Sequence, residues 1–462
     1  MKKIVFFSVL VFAFCGITKA QNNGTIDAKM LNEIRSGFTL DASAKAAQNA
    51  ITNAESLRDL SLNREKIGKI DHYFKYRVEV KGITDQKSSG RCWMFTSMNT
   101  IRPQAIKKFN LTSFDFSHNY NYFWDLFEKS NLFLDNIIAT ADQDIQDREV
   151  VNYFKSPVDD GGVWNSFFNV AKKYGLVPAS VMPETKMSNK TYELTRLINE
   201  KLRGEAYKIR MMIAAKDANK DIQQAKVNAL KSVYRMLALS LGVPPTEFTW
   251  RYKDADGKIS ELKKYTPIEF LEVVAPDFAK TEQIMIMNDP TRAYYKVYEI
   301  KNYRNVKEGI NWTYLNLPNK DIKSFALASI KNNEPMYASC DVGKQHNRKA
   351  GVMDVNTYDY ASLFGVDFDM DKKARILTRQ SGSSHAMALI GVDVDENDVP
   401  VKWEFENSWG SSAGDKGYLT FTDAWFNEYM FRIVINKKYL NEKAIKALQS
   451  KPILLPVWDY MF

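Results

Sequence analysis

The chain has 462 residues, more than one typical core holds, and suggests two or three packed units. Hydrophobic residues at 45% and charged residues at 26% are the ordinary balance of a soluble globular protein, and 13% aromatics permit a sizeable core. The formal charge of +9 comes with no concentrated basic run interleaved with aromatics, so nucleic acid is not an expected partner.

Residues 1–20 read as an export signal: basic Lys2 and Lys3, an apolar run over 4–17, then Thr18-Lys19-Ala20 before Gln21. The run is short for a bilayer span, no other long apolar stretch follows, and no membrane is expected as a partner. Phe14 before Cys15 argues against a lipoprotein signal. Removal of the segment would take away Lys2, Lys3 and Lys19 and leave a charge of +6. It would also take Cys15, leaving Cys92 and Cys340, which are expected as free thiols.

Helical patches follow over 29–36 and 42–60, and the alternation Tyr76-Arg77-Val78-Glu79-Val80 predicts a short strand. From Cys92 the spacing turns helical, with Met94, Phe95, Met98 and Ile101 on one face. Pro103 is expected to kink that helix or end its first segment. Residues 191–241 are the clearest helical region, closed by Gly242 and Pro244-Pro245. A strand at 248–252 and the turn Asp254-Ala255-Asp256-Gly257 predict a hairpin; the ligand positions of a calcium loop are missing. The last third is β-rich, with strands over 387–394, 401–405 and 418–421, then a short helix over 441–451 and a hydrophobic tail ending at Phe462.

Chemistry concentrates at three places. Cys92 follows Ser88-Ser89-Gly90 at the start of a predicted helix, where unpaired N–H groups and the helix dipole favour a thiolate. Of four histidines, His385 opens an apolar strand between Ser384 and Ala386, and Asn407 ends the next strand. An Asn carbonyl there can fix the imidazole tautomer, with Trp409 covering the bond. The other three, His72, His118 and His346, suit surface or structural roles, no spacing suits a metal, and no cofactor is called for. Gln86, six positions before Cys92, can offer its amide with the Cys92 N–H as an oxyanion hole. Asp160-Gly161-Gly162 is a candidate segment for pairing with an extended peptide.

The block Gln86–Phe95, His385 and Asn407-Ser408-Trp409-Gly410 resemble the papain superfamily. The resemblance narrows to the bleomycin hydrolase and aminopeptidase C family. Cys92-Trp93-Met94-Phe95, Asp160-Gly161-Gly162, Lys173-Tyr174-Gly175, Leu241-Gly242-Val243-Pro244-Pro245, Cys340-Asp341-Val342-Gly343-Lys344 and Leu455-Pro456-Val457-Trp458-Asp459 carry it. It implies an α+β fold with a papain-like two-subdomain core. On that frame 1–20 is the signal, 21–70 a leader packing on the core, and 71–185 the helical half with Cys92. Residues 186–315 would form a helical hook, 316–440 the β-rich half with His385 and Asn407, and 441–462 an arm in the cleft. The resemblance further implies a homohexamer and an arm whose terminal carboxylate, here on Phe462, meets the amino group of a peptide substrate. The expected function is therefore an exported cysteine aminopeptidase, periplasmic or secreted, acting on short peptides through a thiolate acyl-enzyme.

Two departures stand against that pattern. The export signal is one, since family members are usually cytoplasmic. The ending Tyr460-Met461-Phe462 is the other, because it replaces a small-residue tail and keeps an endopeptidase on the same scaffold as an alternative. A non-enzymatic binding scaffold is a third reading, disfavoured by the intact four-residue constellation.

Overall fold

The computed structural model describes residues 24–461 apart from Ile67 and Thr281, so the expected signal and Phe462 lie outside the described residues. The chain divides into two compact units. One takes the chain up to Ser61 together with Tyr360–Val366; the other takes Leu62–Asp359 together with Asp367–Phe462. In the first unit helices Ala28–Ser36 and Ala42–Thr52 start on Asp27 and Asp41, whose carboxylates accept the N–H of Met30 and Ala44 at 2.8 Å each. A four-residue helix, Leu57–Leu60, follows.

The second unit is α+β. Its central helix, Cys92–Phe109, is buried all round from Trp93 to Asn99, so it is a core helix rather than an amphipathic surface one. Pro103 was expected to kink this helix or end its first segment; the helix does not end there but runs on to Phe109, with Asn110 beyond it in the left-handed conformation (φ 50°). Ala105, Ile106 and Phe109 lie buried beyond the proline, and their packing offsets a cost of about 3 kcal/mol for proline in a helix interior. Helix His118–Ala139 packs beside Trp164–Tyr174 and against the antiparallel-looking pair of sequence neighbours Tyr192–Ala214 and Asn219–Leu241. Ile198, Val233 and Leu237 are fully buried there, and Gly242 closes the pair at φ 96°.

Among the described residues one mixed sheet has twelve strands. Its middle runs Gln283–Met287, Met430–Asn436, Met336–Cys340, His385–Val394, Pro400–Glu406 and Tyr418–Thr422, each antiparallel to the next. Beyond the first of these come Thr313–Asn316, Lys296–Ile300 and, at the edge, Ile453–Leu455. The range 186–315 thus contains the long helices and a small hairpin (Phe248–Trp250 with Lys263–Tyr265), then strands of the main sheet. The strand expected over 76–80 is short: Tyr76–Arg77 pair with His385–Val394, the Val78 N–H still donates to Ile390 O at 2.7 Å, and the N–H of Glu79 goes to the Asn333 side chain at 2.9 Å.

Two apolar cores result. One joins the helices, with Trp93, Met98, Phe123 and Ile198; the other lines the sheet, with Ile390, Trp403, Phe405 and Ile433. The central helix packs on strand His385–Val394, and a buried ion pair from Arg102 to Glu406 ties it to the next strand. Among the described residues no helix is long and apolar enough to cross a membrane.

Candidate active site

An open cleft of about 1010 Å³ is lined by Gln86, Cys92, Gly161, Gly162, His385, Trp409 and Met461. The fold therefore gathers into one cavity the described residues that the sequence singled out at 86, 92, 161, 162 and 385. Asn407 lies buried directly behind His385.

Cys92 is half-buried at the first turn of its helix. Arg91 precedes it without a side-chain cap, so the first N–H groups of the helix are open. The backbone N–H groups of Ala386, Trp93 and Cys92 itself all favour the thiolate. Contact with Ala386 places the sulfur beside the residue that follows His385.

His385 Nε2 lies 2.8 Å from Asn407 Oδ1. The same Oδ1 accepts the backbone N–H of Ser408 at 2.8 Å, which identifies it as the oxygen. An oxygen there can only accept, so Nε2 carries the proton and Nδ1 is left with its lone pair. The Trp409 ring lies 4.7 Å from the imidazole, centroid to centroid, and shields that bond from water.

Ser408 fixes a second group. Its hydroxyl donates to Gln86 Oε1 at 2.6 Å, and its carbonyl accepts the Gln86 backbone N–H at 2.8 Å. Gln86 Nε2 then donates one proton to Ser89 O at 2.6 Å and retains a second for the cleft. Nothing in the sequence reading singled out Ser408; its place between Asn407 and Trp409 was the available signal.

The opposite rim is the segment Asp159–Gly162. Asp160 accepts the Gly90 N–H at 2.6 Å and the Thr191 hydroxyl, while its own carbonyl accepts Trp93 Nε1–H at 2.9 Å. A Cβ at Gly162 would meet the Trp93 indole at 2.6 Å, so only glycine fits. The N–H and C=O of Gly162 have no partner among the described residues. Lys129 holds this rim from below, donating to Gly161 O at 2.5 Å and Asp159 O at 2.9 Å. Its ammonium also pairs with Asp125 at 2.9 Å. Burial works against the Lys129 charge, but Asp125 and Asp159 outweigh it and hold its pKa above the ordinary range. Sequence reading missed Lys129, although Asp125 four residues earlier on a helix was a usable signal.

The last described residues reach the same cleft. Val457–Asp459 follow edge strand Ile453–Leu455; Asp459 pairs with Arg292, and Tyr460 meets the Thr291 hydroxyl. The Met461 carbonyl accepts from Arg432 at 3.0 Å, and its side chain is buried in the cleft wall.

Sequence and structure comparisons agree on the relatives. The Peptidase C1-like family matches residues 25–462. The chain belongs to that family. Aminopeptidase C of Streptococcus thermophilus is 36% identical over 91% of this chain and 95% of that protein. Bleomycin hydrolase of Mus musculus is 35% identical over 95% and 99% respectively. The crystal structure of PepW from Lactobacillus rhamnosis HN001 superposes with a TM-score of 0.90 at 36% identity, covering 95% of this chain and 98% of that one. The protein is a papain-like cysteine peptidase with the α+β fold of this family.

The electrostatics of this peptidase site differ from the sequence expectation of a thiol lowered by its helix. Burial pushes the Cys92 thiol up to about 11, against the pull of the three N–H groups. Burial also pushes the His385 imidazole down to about 4, with the Asn407 bond opposing. Burial therefore disfavours the charged form of each group taken singly. The remaining histidines lie elsewhere: His118 stacks on Phe95 at 3.5 Å, His72 bonds the Thr420 hydroxyl at 2.7 Å, and His346 is buried 6.1 Å from the Trp409 ring. Cys92 and Cys340 are both free thiols.

Proposed function

We propose that this chain is an exported cysteine aminopeptidase that removes N-terminal residues from short peptides through a thioester intermediate. The observation that carries the exopeptidase reading is the arm: Met461 forms part of the wall of the cleft that holds Cys92 and His385. A segment placed there walls one side of the cleft, and a free peptide N-terminus would lie against it. Relatives named aminopeptidase C, such as that of Lactobacillus helveticus at 37% identity over 96% of this chain, support it.

In this reading the Cys92 sulfur attacks the scissile carbonyl as its proton passes to Nδ1 of His385. The carbonyl oxygen becomes an oxyanion facing the free N–H of Gln86 Nε2 and the backbone N–H of Cys92. The imidazolium returns the proton to the leaving amine, and water then hydrolyses the thioester with His385 as base. Asn407 keeps the ring in the productive tautomer. The unpartnered N–H and C=O of Gly162 pair with the extended substrate. Phe462 would carry the carboxylate that meets the substrate amine. Export rests on residues 1–20, and a homohexamer rests on the family resemblance.

A matched pair of fluorogenic peptides with free and acetylated N-termini tests the proposal. Turnover confined to the free peptide, lost in Cys92→Ala and relaxed toward the acetylated one by deletion of 460–462, is the expected result. Equal cleavage of the acetylated peptide by the full chain would replace it with the endopeptidase reading, which the bulky ending Tyr460-Met461-Phe462 motivates.

A further inference from the structure

A second cavity of about 530 Å³ adjoins the cleft and shares Gly161, Gly162 and Tyr303 with it. Its lining is charged in an unbalanced way, with six cationic side chains against two carboxylates. Each carboxylate shares its cation with a second acid: Asp159 shares Lys129 with Asp125, and Asp459 shares Arg292 with Asp289. Two of the cations are committed as well, Lys129 to Asp125 and Lys301 to Glu149.

The other four cations, Arg148, Lys155, Arg304 and Arg379, have no ion-pair partner among the described residues. Arg304 donates to Asn311 Oδ1 at 2.9 Å, but its Nε is buried with no hydrogen-bond partner. A buried donor left open is costly unless something fills it. Arg148 lies 4.5 Å over the Trp458 ring, so the arm itself forms one wall. A concave site carrying one sign of charge focuses its field and attracts the opposite sign.

We propose that this cavity is a subsite for an acidic side chain at the start of the peptide substrate. The inference rests on the reading of the cleft as an aminopeptidase site, with Gly162 holding the substrate backbone. The cavity lies on the Gly161–Gly162 rim and beside the arm, where the first residue of a bound peptide would stand. With the shared pairs counted, cations still outnumber carboxylates there, which favours glutamate or aspartate over their amides and disfavours lysine.

The experiment uses the full chain under reducing conditions with three dye amides, of glutamate, glutamine and lysine. Glutamate and glutamine differ in charge and hardly in shape, so their ratio of kcat/KM isolates the electrostatic term. We expect glutamate to be favoured by about fivefold at low salt, with the advantage shrinking as salt rises. In the double variant Lys155→Gln, Arg379→Gln the ratio should fall toward one. Both side chains are exposed, so the fold should persist, which circular dichroism would verify. A wild-type ratio at or below one, with turnover that still depends on Cys92, overturns the subsite and leaves the aminopeptidase reading standing. A wild-type preference that the double variant leaves intact removes this cavity as its source. If Cys92→Ala keeps its turnover, the reading beneath the proposal fails and the proposal goes with it.

Discussion

The two rims of the cleft are held in different ways. The His385 rim is main-chain architecture: strand His385–Val394 is hydrogen-bonded on both sides, to Met336–Cys340 and to Pro400–Glu406. The Gly161–Gly162 rim has no ladder. It is a loop fixed by the Lys129 ammonium, the Asp160 carboxylate and the Trp93 ring. A sheet positions a group through many bonds that no single side chain controls. A loop held by three side chains depends on each of them. The reacting groups thus sit where geometry is over-determined, and the peptide-binding groups sit where single substitutions can retune it.

The largest expected break is in the first rim's foundation. Arg102 is buried with its guanidinium on Glu406, Asn99 Oδ1 and Gly82 O. Burial raises the Glu406 carboxyl to about 7, with Arg102 opposing, so removing the arginine leaves an unpaired acid in the core. Arg102→Met should cost on the order of 3 kcal/mol, read as a lowered Tm, and Glu406→Gln added to it should restore part of the loss. No recovery in the double variant would mean that the lost contacts to Gly82 and Asn99 dominate.

Gln86→Ala comes next. It should lower kcat by about a hundredfold while leaving KM within about threefold, because the amide is needed only as charge develops. A change mainly in KM would assign Gln86 to binding instead. Lys129→Met should act on the other rim. It frees the Gly161 carbonyl, and we expect KM to rise about tenfold with a smaller change in kcat. Equal losses in both parameters would show that the two rims are not independent.

A separate expected effect is on pH. Burial depresses His385 to about 4 and His118 well below its ordinary value of 6.5, with Arg91 and Arg102 adding to the latter. Both rings are neutral when folded and bind protons more readily when unfolded. The two rings therefore contribute a loss of stability as pH drops from 6.5 toward 4. Thermal melts at pH 7 and pH 5 would read it, and His118→Phe should flatten the slope. An unchanged slope would remove His118 as a contributor.

Much of this was legible in the sequence, for local reasons. The helices at Ala28–Ser36 and Ala42–Thr52 begin at aspartate caps, and the long helices stop at Gly242, all short-range signals. The catalytic-type residues were legible from residue type and local setting, helped by the chain having only four histidines. Non-local features were not. Lys129 acts on a carbonyl 32 residues away, and Ser408 on an amide 322 residues away. That the helix continues past Pro103 was not legible because propensity is local, whereas the burial of Ile106 and Phe109 that favours continuation is not. The direction of the Cys92 shift was misjudged for the same reason, since the dipole is readable from the chain and the depth of burial is not.

One dipeptide serves as a common datum for both halves of the chemistry. Asn407 sets the His385 ring, and Ser408, its neighbour in the chain, sets the Gln86 carboxamide. Any displacement of the end of strand Pro400–Glu406 carries ring and carboxamide together, so their separation is conserved to first order while their absolute positions drift. The molecule can breathe at this corner without losing registration between the group that moves protons and the group that receives negative charge.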